Sequence, residues 1–345
     1  MGVNLPAHLV IIKNTQQYVN GTYQEYSIST VLQMVGRAGR PQFDSEATAV
    51  IMTRLADKIK GDESLEQLLW VVCESHELSD MHLRVDERRC LNALNRNNTA
   101  ATIRFPMKGK INTRQMKLNC IIQAVLGCLP IHEPSLNQEA ITIMRIAVRI
   151  CKCLVSYVTR PNALRTSSQN YQAILNAIVL AKCMESQLWE NSKYVSKQLK
   201  GIGPTYSALL ATAGKINFML LEESDPRDLE RIMNKGPPAG NVLRKQISLL
   251  PKYQLTITSI DENSLKIQLK LLNQMYLAEN LDQLTAGANH TSYIIIGDSE
   301  NYLLILAPFK DKDLITFHNG EITYQTVRRH QFEHKIMAHC ISSNF

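Results

Sequence analysis

The stretch QEAITIMRIAVRICKCLVSYV, at residues 138–158, repeats apolar residues at positions i, i+3, i+4 and i+7. This spacing places the apolar side chains along one face of an α-helix, which can then pack against other helices. The same spacing occurs in SLEQLLWVVC from residue 64, MKLNCIIQAVLGCL from residue 116 and NYQAILNAIVLAKCM from residue 170. Turn-forming residues separate the four stretches. We therefore predict a helical bundle over residues 57–198.

The sequence pattern changes on the C-terminal side of this bundle. Residues 199–250 contain short helical stretches that are interrupted by glycine and proline. After Pro251 the apolar residues alternate with a period of two, as in YQLTITSI from residue 253 and SYIIIGD from residue 292. That period is typical of strands with one buried face. We predict a short helical module over residues 199–250 and a β-sandwich over residues 251–345.

Residues 1–56 have a third pattern. His8–Lys13 and Ala47–Met52 are short apolar runs suited to buried parallel strands, and Ser27–Val35 has helical spacing between them. Two interior strands with one helix are too few for a complete α/β domain, because such strands need sheet neighbours on both sides. We predict part of an α/β lobe here, and a multidomain α+β protein overall.

Positive charge is concentrated in two segments of this 345-residue chain, whose net charge is +7. Residues 84–117 contain nine lysines and arginines but only two acidic residues, and residues 140–184 contain six and none. A surface that faces a polyanion needs such a local excess, because lysine and arginine neutralise phosphates. The excess also suits a solvated helix face whose balancing acids lie elsewhere in the sequence, and charge alone leaves both interpretations open.

Several other classes of protein are not indicated. No run of eighteen apolar residues suggests a membrane span. The eight cysteines lie in apolar stretches, which is typical of reduced core residues. The spacing Cys151-x-Cys153 does not match a zinc site, and we expect no metal site in this chain.

Two motifs near the N-terminus indicate nucleotide chemistry. Gln33-Met34-Val35-Gly36-Arg37-Ala38-Gly39-Arg40 matches QxxGRxGR, the sixth motif of superfamily 2 helicases. Arginine suits phosphate contacts because its guanidinium stays charged and can bond two oxygens at once. Gly2-Val3-Asn4-Leu5-Pro6-Ala7 is similar to the fifth motif and precedes the sixth at the expected separation.

These motifs and several later segments make the chain resemble the meiotic crossover DNA helicases, a family of DExH helicases. The resemblance covers nearly the whole chain. It is carried by GVNLPAHLVIIK (2–13), VLQMVGRAGRPQFD (31–44), IRFPMKGKINTRQMK (103–117), LGCLPI (126–131), LWENSKYVSKQL (188–199) and LPKYQL (250–255).

The resemblance implies a specific architecture. Residues 1–56 would form part of a second RecA-like helicase lobe, and residues 57–198 a helical bundle like the ratchet domain of the family. Residues 199–250 would form a helix-hairpin-helix-like module, and residues 251–345 an immunoglobulin-like β-sandwich.

The resemblance also implies roles for individual residues. Arg37 and Arg40 would contact the γ-phosphate of ATP during hydrolysis, and Gln33 would face the nucleotide cleft. Gly2 and Asn4 of the fifth motif would couple the nucleotide state to the nucleic-acid backbone.

Two further sites would bind nucleic acid. Arg145, Arg149 and Lys152 form one stripe of the helix at residues 138–158 and would contact the tracked strand. Gly201 and Gly203 would direct backbone N–H groups at a DNA phosphate. A solvated stripe and a packing turn are the respective alternatives.

In the cell, the resemblance implies ATP-dependent DNA unwinding, with 3′-to-5′ polarity, in meiotic homologous recombination. The expected cofactors are ATP and Mg²⁺, bound mainly by the other motor lobe. The expected partners are single-stranded or branched DNA and, through the β-sandwich, meiotic recombination proteins, all in the nucleus. A non-catalytic DNA- or protein-binding fragment and an RNA helicase relative are the alternatives.

The chain departs from the family pattern in two places. It contains no GK[ST] phosphate-binding loop and no DExH box, and Met1 falls inside the fifth motif. We therefore expect a fragment or an incomplete gene model that hydrolyses no ATP by itself. The interval between Thr53 and Leu65 is also too short for the winged helix of the family, so about a hundred residues are missing there.

Overall fold

The computed structural model divides the chain into two compact units, Met1–Ile59 and Lys60–Phe345. The structure describes residues 9–12, 16–19, 22–26, 28–36, 48–51, 58–96, 102–159, 169–260, 264–287, 289–327, 335–343 and 345.

The first unit contains the predicted parallel strands. Strand β1 (Leu9–Ile12) pairs in parallel with β4 (Thr48–Ile51), and helix α1 (Ile28–Val35) lies between them in sequence. These elements confirm the predictions for that segment. Strands β2 (Gln16–Val19) and β3 (Thr22–Glu25) form an antiparallel hairpin that was not predicted. The intervening Asn-Gly pair is the sequence signal for such a hairpin.

Among the described residues, the second unit begins with five α-helices. The four predicted helices are confirmed. The fifth, α3, is short and lacks a clear apolar repeat in the sequence. The helices are α2 (Leu65–Cys73), α3 (Arg88–Leu94), α4 (Arg114–Leu126), α5 (Pro134–Val158) and α6 (Tyr171–Ser186).

Local sequence explains where several of these helices begin. Ser64 caps α2 in a capping box with Gln67, and the Thr113 side chain accepts a hydrogen bond from the backbone N–H of Met116 at the start of α4. Pro134 occupies the first turn of α5, where a missing N–H costs nothing. The helices share an apolar core in which Leu68, like its neighbours in the other helices, is fully buried.

Four short helices follow and enclose a core of their own. Its buried members include Leu210, Leu221 and Leu243. Gly240 approaches Pro226 so closely that a Cβ atom there would lie 2.0 Å from the Pro226 carbonyl oxygen. The four helices are α7 (Pro204–Thr212), α8 (Phe218–Glu223), α9 (Pro226–Met233) and α10 (Ala239–Ser248).

In the described residues after α10, the strands form two antiparallel sheets of three strands each, with the orders β5-β6-β9 and β10-β7-β8. Five strands occur where the period of two predicted them, whereas the short helices α11 and α12 and strand β10 were not predicted. The elements are β5 (Tyr253–Ser259), β6 (Ser264–Leu271), α11 (Gln274–Glu279), β7 (Thr291–Asp298), β8 (Leu303–Lys310), α12 (Asp311–Thr316), β9 (Glu321–Val327) and β10 (Ile336–Ser342).

The two sheets share one apolar core, which includes Ile267 from one sheet and Ile294 from the other. A buried polar group lies at the margin of this core. The carboxylate of Asp311 accepts hydrogen bonds from the Tyr253 hydroxyl and from Ser292, and it contacts Nδ1 of His290. Because Asp311 is almost completely buried, these donors replace the water that it loses on folding.

Helix α6 joins the helical bundle to the sheets. The backbone N–H of Tyr171 donates to the carbonyl of Asn301 at 3.0 Å, and the Asn301 side-chain oxygen accepts from the N–H of Gln172 at 2.6 Å. The Tyr171 ring is buried and stacks on His339 of β10. The structure is therefore a mixed α and β protein with small antiparallel sheets. The domain boundaries at residues 57, 199 and 251 stay predictions.

Candidate nucleic-acid interface

The described part of the nucleotide motifs is the end of α1. Gln33 is exposed in the last turn of this helix, and the exposed Gly36 follows as a turn. An exposed amide at a helix end is free to contact a ligand. The predicted residues Gly2, Asn4, Arg37 and Arg40 lie outside the described residues.

The predicted basic stripe lies on the solvent-facing side of α5. Arg145, Arg149 and Lys152 are all exposed. Arg149 pairs with Glu77, and the Lys152 Nζ atom lies 2.7 Å from a carboxylate oxygen of Glu185. Exposed ion pairs of this kind contribute only about 0–1 kcal/mol, so a phosphate can compete for either cation.

Arg145 differs from Arg149 and Lys152 in its ion pairing. It forms no ion pair with another described residue. The structure therefore keeps the three cations on one face, but two of them already have acidic partners. Glu77 and Glu185 come from distant parts of the chain, and the helical spacing of the stripe contains no information about them.

The predicted glycine turn precedes α7. Gly201 is exposed with a φ of +83°, a conformation that favours glycine, and Gly203 is the N-cap of the helix. A Cβ atom at either glycine would meet nothing within 4 Å. Gln246 of α10 holds the turn through both backbone groups of Lys200, which it contacts at 2.8 and 3.1 Å. The turn is thus open on its outer side and fixed on its inner side.

Three of the nine cations in residues 84–117 have acidic partners. Lys117 is fully buried and lies 2.8 Å from Glu87 and 2.9 Å from Glu139. Arg84 pairs with the same two glutamates, at 2.8 and 3.0 Å. The interpretation of all nine cations as one polyanion-facing surface is therefore wrong for Lys117, which cannot reach a ligand.

Arg104 is the third paired cation. Its guanidinium forms two hydrogen-bonding contacts of 2.8 Å with the Glu190 carboxylate, and it lies 4.8 Å from the centre of the Trp189 ring and 5.1 Å from that of Phe105. The hydrogen bond that Arg104 donates to Glu190 raises the pKa of Arg104. Burial alone would raise the pKa of Glu190, but the hydrogen bond from Arg104 holds that pKa below its usual value. This pair connects the segment to the residues after α6.

Two further observations concern the cysteine pair Cys151 and Cys153 and membrane-spanning helices. Cys151 is fully buried whereas Cys153 is exposed, so their side chains do not meet at one site. No helix among the described residues combines the length and the hydrophobicity that crossing a bilayer requires.

Comparison with known proteins identifies the larger unit. A family model described as the Sec63 Brl domain matches residues 50–345. The chain belongs to the Sec63 Brl domain family. The match begins close to the boundary between the two compact units, so the helices and sheets of Lys60–Phe345 are the Sec63 Brl region.

The whole chain is also similar to named helicases. It is 31% identical to "Probable ATP-dependent DNA helicase HFM1" of Xenopus tropicalis over 474 residues, covering 100% of this chain and 35% of the relative. The human protein of that name is 32% identical over 91% of this chain and 30% of its own length. "ATP-dependent DNA helicase MER3" of Saccharomyces cerevisiae is 62% identical over 89 residues, covering 24% of this chain and 8% of the relative.

These matches confirm the resemblance to the meiotic crossover helicases. The chain spans about a third of the length of the Xenopus tropicalis and human relatives. The alignment with the Xenopus tropicalis protein extends over 474 residues although the chain has 345. The relative therefore contains a large amount of sequence without a counterpart here, and the missing segment after Thr53 stays a prediction.

Proposed function

We propose that this chain acts as part of an ATP-dependent DNA helicase in meiotic homologous recombination and crossover formation, in the nucleus. The observation that carries the proposal is the similarity to a DNA helicase over the entire chain, including the motif segment that precedes the Sec63 Brl region. The 3′-to-5′ polarity belongs to the proposal through the same family resemblance.

The first unit would be part of the second RecA-like motor lobe. Its parallel pairing of β1 with β4 supports this assignment, because parallel strands with a helix between them are the repeating unit of such lobes. Arg37 and Arg40 would stabilise the charge that develops on the γ-phosphate of ATP. The exposed Gln33 would face the nucleotide, and Gly2 and Asn4 would link the nucleotide state to the DNA backbone. ATP and Mg²⁺ would be held mainly by the other lobe.

The second unit would hold and guide DNA. The α5 stripe of Arg145, Arg149 and Lys152 is exposed along one helix face, as a surface that follows a strand requires. The open turn at Gly201 and Gly203 would add backbone N–H donors for a phosphate. The two-sheet layer would correspond to the immunoglobulin-like domain, and it would offer a surface to meiotic recombination proteins.

The motor role is tested in a protein that carries both lobes. Arg40→Ala should abolish ATP turnover in the presence of single-stranded DNA while nucleotide binding remains, because the arginine acts mainly in the transition state. Gln115→Ala, at a half-buried position in the Sec63 Brl region, provides the matched control. An Arg40→Ala enzyme with normal turnover would overturn the catalytic assignment.

The DNA-binding role is tested with the 345-residue chain itself. We expect weak binding of a labelled single-stranded oligonucleotide, measured by fluorescence anisotropy, with a steep loss of affinity as salt rises. Reversal of Arg145, Arg149 and Lys152 to glutamate should weaken it, and the same reversal of the exposed Lys270, Lys310 and Lys312 on the sheets is the control. Equal affinity in both variants would remove the stripe from the proposal.

A further inference from the structure

A basic groove lies between α3 and the loop at residues 106–112, which precedes α4. The groove has a volume of about 960 Å³. Three cations reach it from α3 and its end, and two from the loop at residues 106–112. They are Arg88, Arg89, Arg96, Lys108 and Lys110.

Every one of these five cations is exposed, and none forms an ion pair with another described residue. No acidic residue lines the groove. The contrast with Arg84, Arg104 and Lys117 of the same segment is informative, because those three are neutralised by glutamates within the chain. Five like charges around one concavity repel each other and create a strong positive potential, which an anionic ligand would relieve.

The loop that carries Lys108 and Lys110 is fixed by the side-chain amides of the buried Asn95 and the half-buried Asn92. The Asn95 side chain donates to the carbonyls of Met107 and Gly109, at 2.9 and 3.3 Å, and accepts from the N–H of Met107 at 2.7 Å. Asn92 of α3 accepts from the N–H of Ile111 at 2.9 Å. The loop therefore does not need to be ordered when a ligand binds, and this lowers the entropic cost of binding.

We infer that this groove binds the phosphodiester backbone of DNA, as a contact surface separate from the α5 stripe. The inference rests on the proposed DNA-binding function and adds a location to it. The amide of Asn112, which also lines the groove, supplies a neutral donor beside the cations. Lysine, arginine and asparagine donors are the groups that contact phosphate and sugar in protein–DNA interfaces.

The lining favours nucleic acid over an acidic protein. None of the lining residues is aromatic, and Ile111 is buried, so a partner would find only Pro106 and the half-buried Met107 as apolar contacts. Protein interfaces derive most of their affinity from large, mostly aromatic anchors. The groove also lacks the aromatic rings on which bases stack in single-strand-binding proteins. We therefore expect binding that is independent of sequence and dominated by charge.

The experiment measures how the affinity of the whole chain for DNA depends on salt. The groove variant carries Arg89→Gln, Lys108→Gln and Lys110→Gln, and the control variant carries Lys270→Gln, Lys310→Gln and Lys312→Gln, which removes the same charge from the sheets. The exposed positions should leave thermal unfolding unchanged in both. Anisotropy with a single-stranded and a duplex oligonucleotide is recorded over a range of salt concentrations, and an acidic peptide of poly-glutamate serves as the competing polyanion.

We expect the groove variant to bind DNA roughly tenfold more weakly. The slope of log K against log salt should decrease in magnitude by about 2 for the single strand, because each of the three lost phosphate contacts contributes about 0.7 to that slope. The control should keep the slope of the unaltered chain. An unchanged slope in the groove variant, with the unaltered chain binding DNA normally, would overturn the groove alone. A variant that loses only poly-glutamate binding would assign the groove to an acidic protein instead. If the unaltered chain bound no DNA, the proposed function and the groove would both fail.

Discussion

Gly297 is a position of close contact between the helical bundle and the sheets. It lies in β7 against the ring of Tyr171 in α6. A Cβ atom added at Gly297 would lie 2.3 Å from both Cγ and Cδ2 of that ring. Carbon atoms pack at about 3.5–4.0 Å, so Gly297→Ala requires the ring or the strand to move by more than ~1 Å. The Tyr171 ring is only 1% exposed and has no open space to enter.

The expected cost of this substitution follows from the packing around Tyr171. Its backbone N–H is bonded to Asn301, and its ring stacks on His339, so neither end of the residue can shift freely. Insertion of a methyl group into a packed site of this kind destabilises a protein by about 1–3 kcal/mol. We expect a loss of that size for Gly297→Ala, measured as a lower urea midpoint with an unchanged m-value.

A double-mutant cycle with Tyr171→Leu isolates the contact. The smaller side chain leaves room for the added methyl group, so Gly297→Ala should cost less in the Tyr171→Leu background, with a coupling of about 0.5–3 kcal/mol. Gly236→Ala is the matched control, because it makes the same chemical change at a site where a Cβ atom meets nothing within 4 Å. A Gly297→Ala protein as stable as the Gly236→Ala control, or equal costs in both backgrounds, would refute the close contact between α6 and β7.

Three further predictions concern buried polar groups. Lys117→Met should destabilise the helical bundle by about 3–5 kcal/mol in urea unfolding, because the fully buried Glu87 loses its buried counter-charge. A variant as stable as the unaltered chain would contradict the buried ion pair between Lys117 and Glu87. Asp311→Ala should lower the free energy of unfolding by about 1–3 kcal/mol for each donor left without an acceptor, and hydrogen exchange in β7 should become faster. Unchanged exchange in β7 would show that the hydrogen bonds of Asp311 do not stabilise the sheets. Burial lowers the pKa of His339 below its ordinary value of 6.5, so the unfolded chain takes up this proton at a higher pH than the folded chain does. Stability should therefore fall as the pH drops below about 6.5, and His339→Gln should reduce the difference in unfolding free energy between about pH 7.5 and pH 5. An equal difference in both proteins would argue against a neutral, half-buried histidine.

The elements with a clear period were predictable from the sequence. The repeat in residues 138–158 reappears as α5, and the alternation in SYIIIGD reappears as β7. Residues on the buried face of a helix or strand recur at a fixed spacing, so these patterns are visible in a short stretch of sequence. Strand β10 was missed because most of its residues are only half-buried on both faces, so it shows no alternation. Helix α3 was missed because it is short and carries two adjacent arginines and an asparagine.

The candidate nucleic-acid interface was also predictable only in part. The sequence alone determined that motif-like glycines and arginines precede a helical bundle, and that residues 84–117 carry an excess of positive charge. Only the tertiary structure decided which of these charges remain available. Lys108 and Lys117 lie nine positions apart in one basic segment, yet Lys108 is exposed in the groove and Lys117 is fully buried. Glu139 of α5, which lies far along the chain, is brought against Lys117 by the packing of α4 on α5. Residues this distant in sequence meet only when the bundle folds, so no local pattern could distinguish the two lysines.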